Sequence, residues 1–148
     1  MGLHSVNWSV HCSAVDDIEI IEESLSLLSD NCGELRKEKT KSYHGSPHTT
    51  ITLKIDKKRE AKKSFEKLGE DILLNIQRNG IYKLIDENKV LHIRLSISHL
   101  VQGILQLAEG DERKIAVKGR FKIESYPGQK PENIVSDLIE EIISNDLG

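Results

Sequence analysis

Hydrophobic and polar positions alternate at two periods along this chain, and each period predicts an element. In residues 5–13, Val6, Trp8, Val10 and Cys12 share one face, while Ser5, Asn7, Ser9, His11 and Ser13 share the other. Strict period-2 alternation of this kind predicts a half-buried strand. Asp16, with Glu19 three residues on, has the pattern of a capping box. Ile18, Ile21, Leu25 and Leu28 then recur at helical spacing to about Ser29, and Gly33 lies past the stop. The charged stretch 34–42 fits an edge strand, and Tyr43-His44-Gly45-Ser46-Pro47 reads as a loop. Thr49–Ile55 alternates again, with Ile51, Leu53 and Ile55 inward. Asp56 is the expected cap of a long helix to about Arg78, striped by Ala61, Phe65, Leu68, Ile72 and Ile76 and stopped by Asn79-Gly80.

Beyond the helix, Val90–Ile97 predicts a strand with Leu91, Ile93, Leu95 and Ile97 inward. A short connection, Ser98–Gly103, follows, then a strand at Ile104–Ala108. Ile115–Ile123 predicts another, with Ile115, Val117, Phe121 and Ile123 inward. Pro131 at a favoured first-turn position opens a last helix through residue 146. The order is β-α-β-β-α-β-β-β-α. Clean alternation implies a mainly antiparallel, bent sheet with one face open to water. Three helices would cover the other face, giving a two-layer α+β domain over residues 1–148.

Composition adds limits. At 148 residues with 37% hydrophobic and 30% charged residues, the chain is globular and long enough to bury a core without staples. No apolar run approaches ~18 residues, so no membrane span is expected. The N-terminus lacks the basic start and apolar stretch of a signal peptide. Cys12 and Cys32 cannot form a disulfide framework. The expectation is a soluble, cytoplasmic protein without a bound cofactor.

The charge distribution changes the picture more than its sum of −3. Residues 1–34 hold seven acids and no Lys or Arg; residues 35–63 hold ten Lys or Arg against three acids. Residues 131–148 hold five acids and no base. One concentrated basic segment in a mildly acidic chain points to a local anion site.

Two basic sets follow from the predicted elements. On the open sheet face the outward parity collects Lys54, His92, Arg94, Lys114, Lys118, Arg120 and Lys122 beside the small polar groups of the first strand. A polar, basic face suits phosphate contacts; outward Lys and Arg also simply keep a strand soluble. At the long helix's start, Lys57, Lys58 and Arg59 fill the first turn and Lys62 and Lys63 the next. Cations there oppose the helix dipole, at about 0.3–1 kcal/mol each when exposed. Joined to free backbone N–H groups they make an anion site; the bland alternative is a solvated, Lys-rich helix. Lys37, Lys39 and Lys41 have the ordinary edge-strand role of blocking aggregation.

Aromatic residues limit the mode of binding. Trp8 and Phe121 fall on the inward parity, so a base-stacking sheet is not expected, and backbone and shape contacts would dominate. Catalytic and metal patterns fail. Cys12, Cys32, His44 and His48 lack the short Cys–Cys spacing of structural zinc sites. No sequence context activates a thiol, and no phosphate-cradling glycine loop is present. No metal site and no enzymatic activity are expected.

The ordered segments carry a resemblance. Val6–Asp17, with Ser-Val-His-Cys-Ser-Ala-Val-Asp-Asp, matches a strand-to-helix pattern. Ser42–Pro47 matches a Gly-His-Tyr-Gly-Asn-Pro type of loop. Lys57-Lys58-Arg59-Glu60-Ala61 matches a helix start, and Leu91–His99 matches a later strand segment. Over roughly residues 4–124 the chain resembles the archaeal family described as predicted exosome-associated RNA-binding proteins. The resemblance implies a fold similar to the large-subunit ribosomal protein that binds five-S RNA. It also implies RNA binding and association with the exosome or other RNA-processing proteins. Ser96-Ile97-Ser98-His99 departs from the family's Asp-Lys-Gln segment and removes a cation; the acidic last helix lies outside the match.

The expected site is then Lys57, Lys58, Arg59, Lys62 and Lys63 on phosphate, Tyr43, His44 and Gly45 as a loop contact, and Lys54, Arg94, Lys118, Arg120 and Lys122 on the sheet. The rival reading is a protein-interaction adaptor that docks on an RNA-processing complex through the acidic last helix or the sheet edge. A homodimer through the sheet edges is compatible with either.

Overall fold

A computed structural model describes residues 2–13, 17–29, 33–41 and 47–147. Five strands form one sheet: β1 (Leu3–Ser13), β2 (Glu34–Lys41), β3 (Pro47–Ile55), β4 (Val90–Leu95) and β5 (Val117–Ile123). Their order is β2-β3-β1-β5-β4 and every pairing is antiparallel. The first strand is therefore the middle of the sheet. Its register sets Asn7 between Lys54 and Arg120, and Ser9 between Thr52 and Lys118.

The inward parity builds the core. Trp8, Val6, Val10, Ile51, Ile55, Leu91, Leu95 and Phe121 are buried under the helices α1 (Ile18–Leu27), α2 (Lys58–Glu66), α3 (Glu70–Arg78) and α5 (Pro131–Leu147). A short helix, α4 (Ile97–Leu100), follows β4. Trp8 anchors the layers. Its Nε1 donates to Ser64 Oγ of α2 at 2.8 Å, and its ring meets Phe121 edge-on at 5.3 Å. Phe65 meets Phe121 from the helix side at 5.2 Å. Buried aromatic rings prefer such tilted contacts, and a buried indole N–H needs its partner.

The two-layer α+β architecture is the one expected, and several elements differ in detail. The long helix over 56–78 is two helices, broken at Gly69, whose φ of 89° is outside the helical range. The expected core stripe survives the break: Ala61, Phe65, Leu68, Ile72 and Ile76 are all buried. Asp56 does not cap α2; Lys57 occupies that position without a side-chain bond, and Asp56 lies 4.0 Å from Lys54 Nζ. In α1 the cap is Asp17, whose carboxylate accepts from Ile20 N at 3.3 Å. Asp16, like Cys32, is outside the described residues.

Residues 104–108 do not form a strand. They run along β4 with a single bridge, Leu95 to Leu107, flanked by Ser96 N to Gln106 O and Ala108 N to Arg94 O. Ile97 belongs to α4 instead of β4, because the chain turns at Ser96. Ile115, expected inward on a strand, ends a 3₁₀ turn (Gly110–Ile115) and is 66% exposed. The strand starts two residues later, at Val117. Lys114 therefore sits in that turn and not on the sheet.

Candidate nucleic-acid interface

The open face follows from register alone. In antiparallel pairs, partners across the ladder share a face. One row runs Glu34, Lys54, Asn7, Arg120, His92 across the five strands. The next runs Arg36, Thr52, Ser9, Lys118, Arg94. Lys122 pairs with Ser5 and Val90 in a third. The small side chains of β1 thus form a low polar floor, with Lys54 on one flank and the β5 and β4 cations on the other. The β2 edge is mixed: Arg36 Nε is 3.1 Å from Glu34 Oε1, and Glu38 shares that face.

The cations of this face are held in different ways. Lys122 Nζ donates to Asn88 O at 2.6 Å, and Arg94 Nη1 to Arg113 O at 3.2 Å. Both bonds orient a charge without neutralising it. Among the described residues, no carboxylate lies within ion-pair distance of Lys118 or Arg120. His92 Nε2 is 2.6 Å from Asp86 Oδ2, and Asp86 Oδ1 also accepts from the Asn88 and Val90 N–H groups. The hydrogen bond from His92, helped by those two N–H donors, holds the Asp86 carboxyl below the ordinary carboxylate range.

The helix-start cations lie elsewhere. α2 packs on the covered face, opposite the open one, through Ser64 and Phe65. Two of its five cations are engaged by acids: Lys58 by Glu124 at 2.8 Å and Lys62 by Glu141 at 2.9 Å. Glu124 raises the Lys58 ammonium above its usual range, and Lys58 depresses Glu124 in return. The structure thus does not bring the helix start and the sheet face together. Tyr43, His44 and Gly45 lie outside the described residues. On the edge strand, Lys37 is on the helix side, 2.8 Å from Glu22 of α1.

Sequence reading missed the surroundings of β4. A cleft of ≈ 510 Å³ opens beside it, with Asn75 and Asn79 from α3, Lys83 and Ile85 from the following turn, and Leu107 and Arg113 from the far side. These residues come from four segments, and no period or motif links them. A second cluster joins Ser96 Oγ to His99 Nδ1 at 2.8 Å, to Ser98 Oγ at 3.1 Å and to Glu112. Ser96 is fully buried, and the carboxylate meets the serine instead of the imidazole. A nucleophile needs the opposite arrangement. The cluster ties β4, α4 and the 3₁₀ turn together. Among the described residues, no group of three His, Cys, Asp or Glu side chains could hold a metal, and no helix is long and apolar enough to cross a membrane.

With that geometry in place, comparison with known proteins is informative. A family model described as RNA binding matches residues 5–123, a span that contains β2 to β5, all but the first two residues of β1, and the cationic face. The chain belongs to this family. RNA binding is the role the family description carries. Solved structures agree on the fold. A DUF54 protein from Methanothermobacter thermautotrophicus superposes with a TM-score of 0.75 at 20% identity, covering 96% of this chain and 98% of that one. A DUF54-family protein from Archaeglobus fulgidus gives 0.75 at 24%, covering 95% and 99%. One from Sulfolobus solfataricus gives 0.69 at 20%, covering 95% and 98%. No match is found among curated proteins.

Proposed function

We propose that this member of the RNA-binding family holds structured RNA by its phosphate backbone, on the open sheet face. The observation that supports this best is Lys118 and Arg120: two neighbouring outward cations without an acid partner among the described residues, beside a floor of Ser5, Asn7 and Ser9. Lys54, Arg94 and Lys122 extend the same surface. Hydroxyl and amide side chains on the floor can donate to phosphate oxygens or to the ribose 2′-OH. Exposed aromatic residues are missing from the described strands of this face, so base stacking on the sheet is not part of the mechanism; Trp8 and Phe121 are fully buried. Lys57, Arg59 and Lys63 form a second, lesser contact on the covered side, with Lys58 and Lys62 recruited only when their acids let go. The role is non-catalytic.

The test is binding to labelled single-stranded, duplex and structured RNA over a salt series. A steep salt slope with preference for structured RNA supports the reading. Absence of binding at about 50 mM salt, where phosphate contacts are strong, refutes it. Changing Lys58, Arg59 and Lys62 together to Glu reports on the helix start separately, and unchanged affinity removes it from the interface.

The family resemblance extends the proposal to a cytoplasmic setting beside exosome-type RNA-processing proteins. One observation favours an adaptor as second reading: Asp137 and Glu140 leave one side of α5 acidic and exposed, while Glu141 is held by Lys62. Pull-down of RNA-processing proteins that survives nuclease and is lost on deleting 131–148 would favour the adaptor.

A further inference from the structure

The cleft beside β4 adjoins the cationic face. His92, Ile93 and Arg94 line both the ≈ 510 Å³ cleft and a smaller ≈ 370 Å³ depression on the sheet, which Ser9, His11, Lys118 and Arg120 also line. The same stretch of β4 thus borders the phosphate-facing cations and the larger recess. The recess differs chemically from the sheet. Ile85, Ile93, Leu107 and Ala108 give it apolar walls, whereas the sheet floor is polar. Its volume is in the range of small-ligand sites.

Three features define what fits. On the cleft's exposed α3 side, Asn79 Nδ2 donates to Asn75 Oδ1 at 2.6 Å and to Asn75 O at 3.0 Å, which uses both its N–H groups and leaves the Asn75 amide N–H₂ as donor and the Asn79 amide oxygen as acceptor. An adjacent donor and acceptor is the pattern that reads the edge of a base. At the rim, Lys83, Arg94 and Arg113 are exposed cations. The one carboxylate in the lining, Asp86, has its oxygens engaged by His92 and two backbone N–H groups. Flat apolar walls, an amide pair and a cationic rim call for a planar, hydrogen-bonding group that carries phosphate.

We propose that this cleft receives one unpaired nucleotide of the bound RNA, with the base between Ile93 and Leu107 and the phosphate on Arg94 and Arg113. The inference rests on the RNA reading above and deepens it. Backbone contacts on the sheet would supply affinity, and the cleft would select RNA with a bulged or looped-out residue. Unpaired nucleotides are the usual targets of sequence-selective RNA contacts, because their bases are free to leave the stack.

Two hairpins that differ only by one bulged adenosine provide the test, with adenosine 5′-monophosphate and inorganic phosphate as small probes. The full chain should bind the bulged hairpin about tenfold more tightly than the paired one, in line with the worth of one sequestered base. Adenosine monophosphate should shift the backbone amide resonances of Asn79, Leu107 and Ala108; inorganic phosphate should leave Leu107 and Ala108 unmoved. Arg113→Glu, an exposed change, and Ala108→Trp, which fills the recess, should each remove the preference while the paired hairpin still binds. Equal affinity for the two hairpins overturns the cleft proposal and leaves the sheet-face reading intact. Failure of both hairpins to bind refutes the sheet-face reading, and the monophosphate arm then decides the cleft: shifts at Leu107 and Ala108 uphold a nucleotide site, and none overturns it.

Discussion

Removing Lys118 and Arg120 together, as Lys118→Ala/Arg120→Ala, puts the sheet-face reading at greatest risk. Five cations line the face, Lys54, Arg94, Lys118, Arg120 and Lys122; Lys54 is 4.0 Å from Asp56, so counting all five sets the upper end of the slope. Each phosphate neutralised contributes roughly −0.7 to −0.9 to the slope of log K against log salt. Five contacts give about −3.5 to −4.5, so affinity should drop roughly 100- to 500-fold between about 50 and 200 mM salt. With three left, the slope becomes about −2.1 to −2.7 and the drop roughly 20- to 40-fold. Folding should be untouched, since both side chains point away from the core and neither forms an ion pair among the described residues. Fluorescence anisotropy at five salt concentrations measures the slope, with thermal unfolding as control. The matching change on the covered side, Lys58→Ala/Lys62→Ala, should move the slope less, because Glu124 and Glu141 already neutralise those charges. A slope unmoved by the first pair, or moved more by the second, refutes the assignment.

Gly119→Ala should destabilise sharply: a Cβ there would sit 2.5 Å from Trp8 Cζ3, and overpacking a rigid core costs about 1–3 kcal/mol or more, readable by urea unfolding. Ser64→Ala strips the buried Trp8 N–H of its acceptor and should cost about 1–3 kcal/mol in the same assay. Because His92 depresses the Asp86 pKa, that contact contributes stability above the ordinary carboxylate value and loses it as pH falls through the depressed one. Carboxyl carbon NMR should find Asp86 titrating below a free aspartate, and His92→Phe should move its midpoint upward. Glu124→Gln should lower the Lys58 pKa, which the Lys58 side-chain resonances would report; no movement would show that the pair is not populated in solution.

The outward and inward sets of β1, β3, β4 and β5 were legible because period 2 reports burial directly. Trp8, Ile51, Leu91 and Phe121 are buried as their parity demands, and Lys54, Arg94 and Arg120 point out. Boundaries were less legible where two signals competed. The stripe from Ala61 to Ile76 keeps helical spacing straight through Gly69, since both helices bury the same side, and only the backbone shows the break. Ile104 and Leu107 look like a strand, yet this segment makes only a bridge to β4. Ile115 obeys the alternation but precedes the strand and is exposed. At the candidate site, the sheet cations could be read from parity, whereas the neutralising partners of Lys58 and Lys62 come from distant segments that no local pattern connects. The cleft residues Asn75, Asn79 and Arg113 were invisible for the same reason.

The central place of β1 has a consequence for how the chain comes to be folded. β1 is made before both of its neighbours, β3 on one side and β5 on the other, and β5 is the last of the five strands. Until β5 emerges, β1 keeps one edge of unpaired N–H and C=O groups, and Trp8 lacks Phe121 as its packing partner. Pairings between segments so far apart in sequence are slow to close. Completion of the sheet therefore waits for β5, and until then β1 holds an open strand edge available to off-pathway pairing.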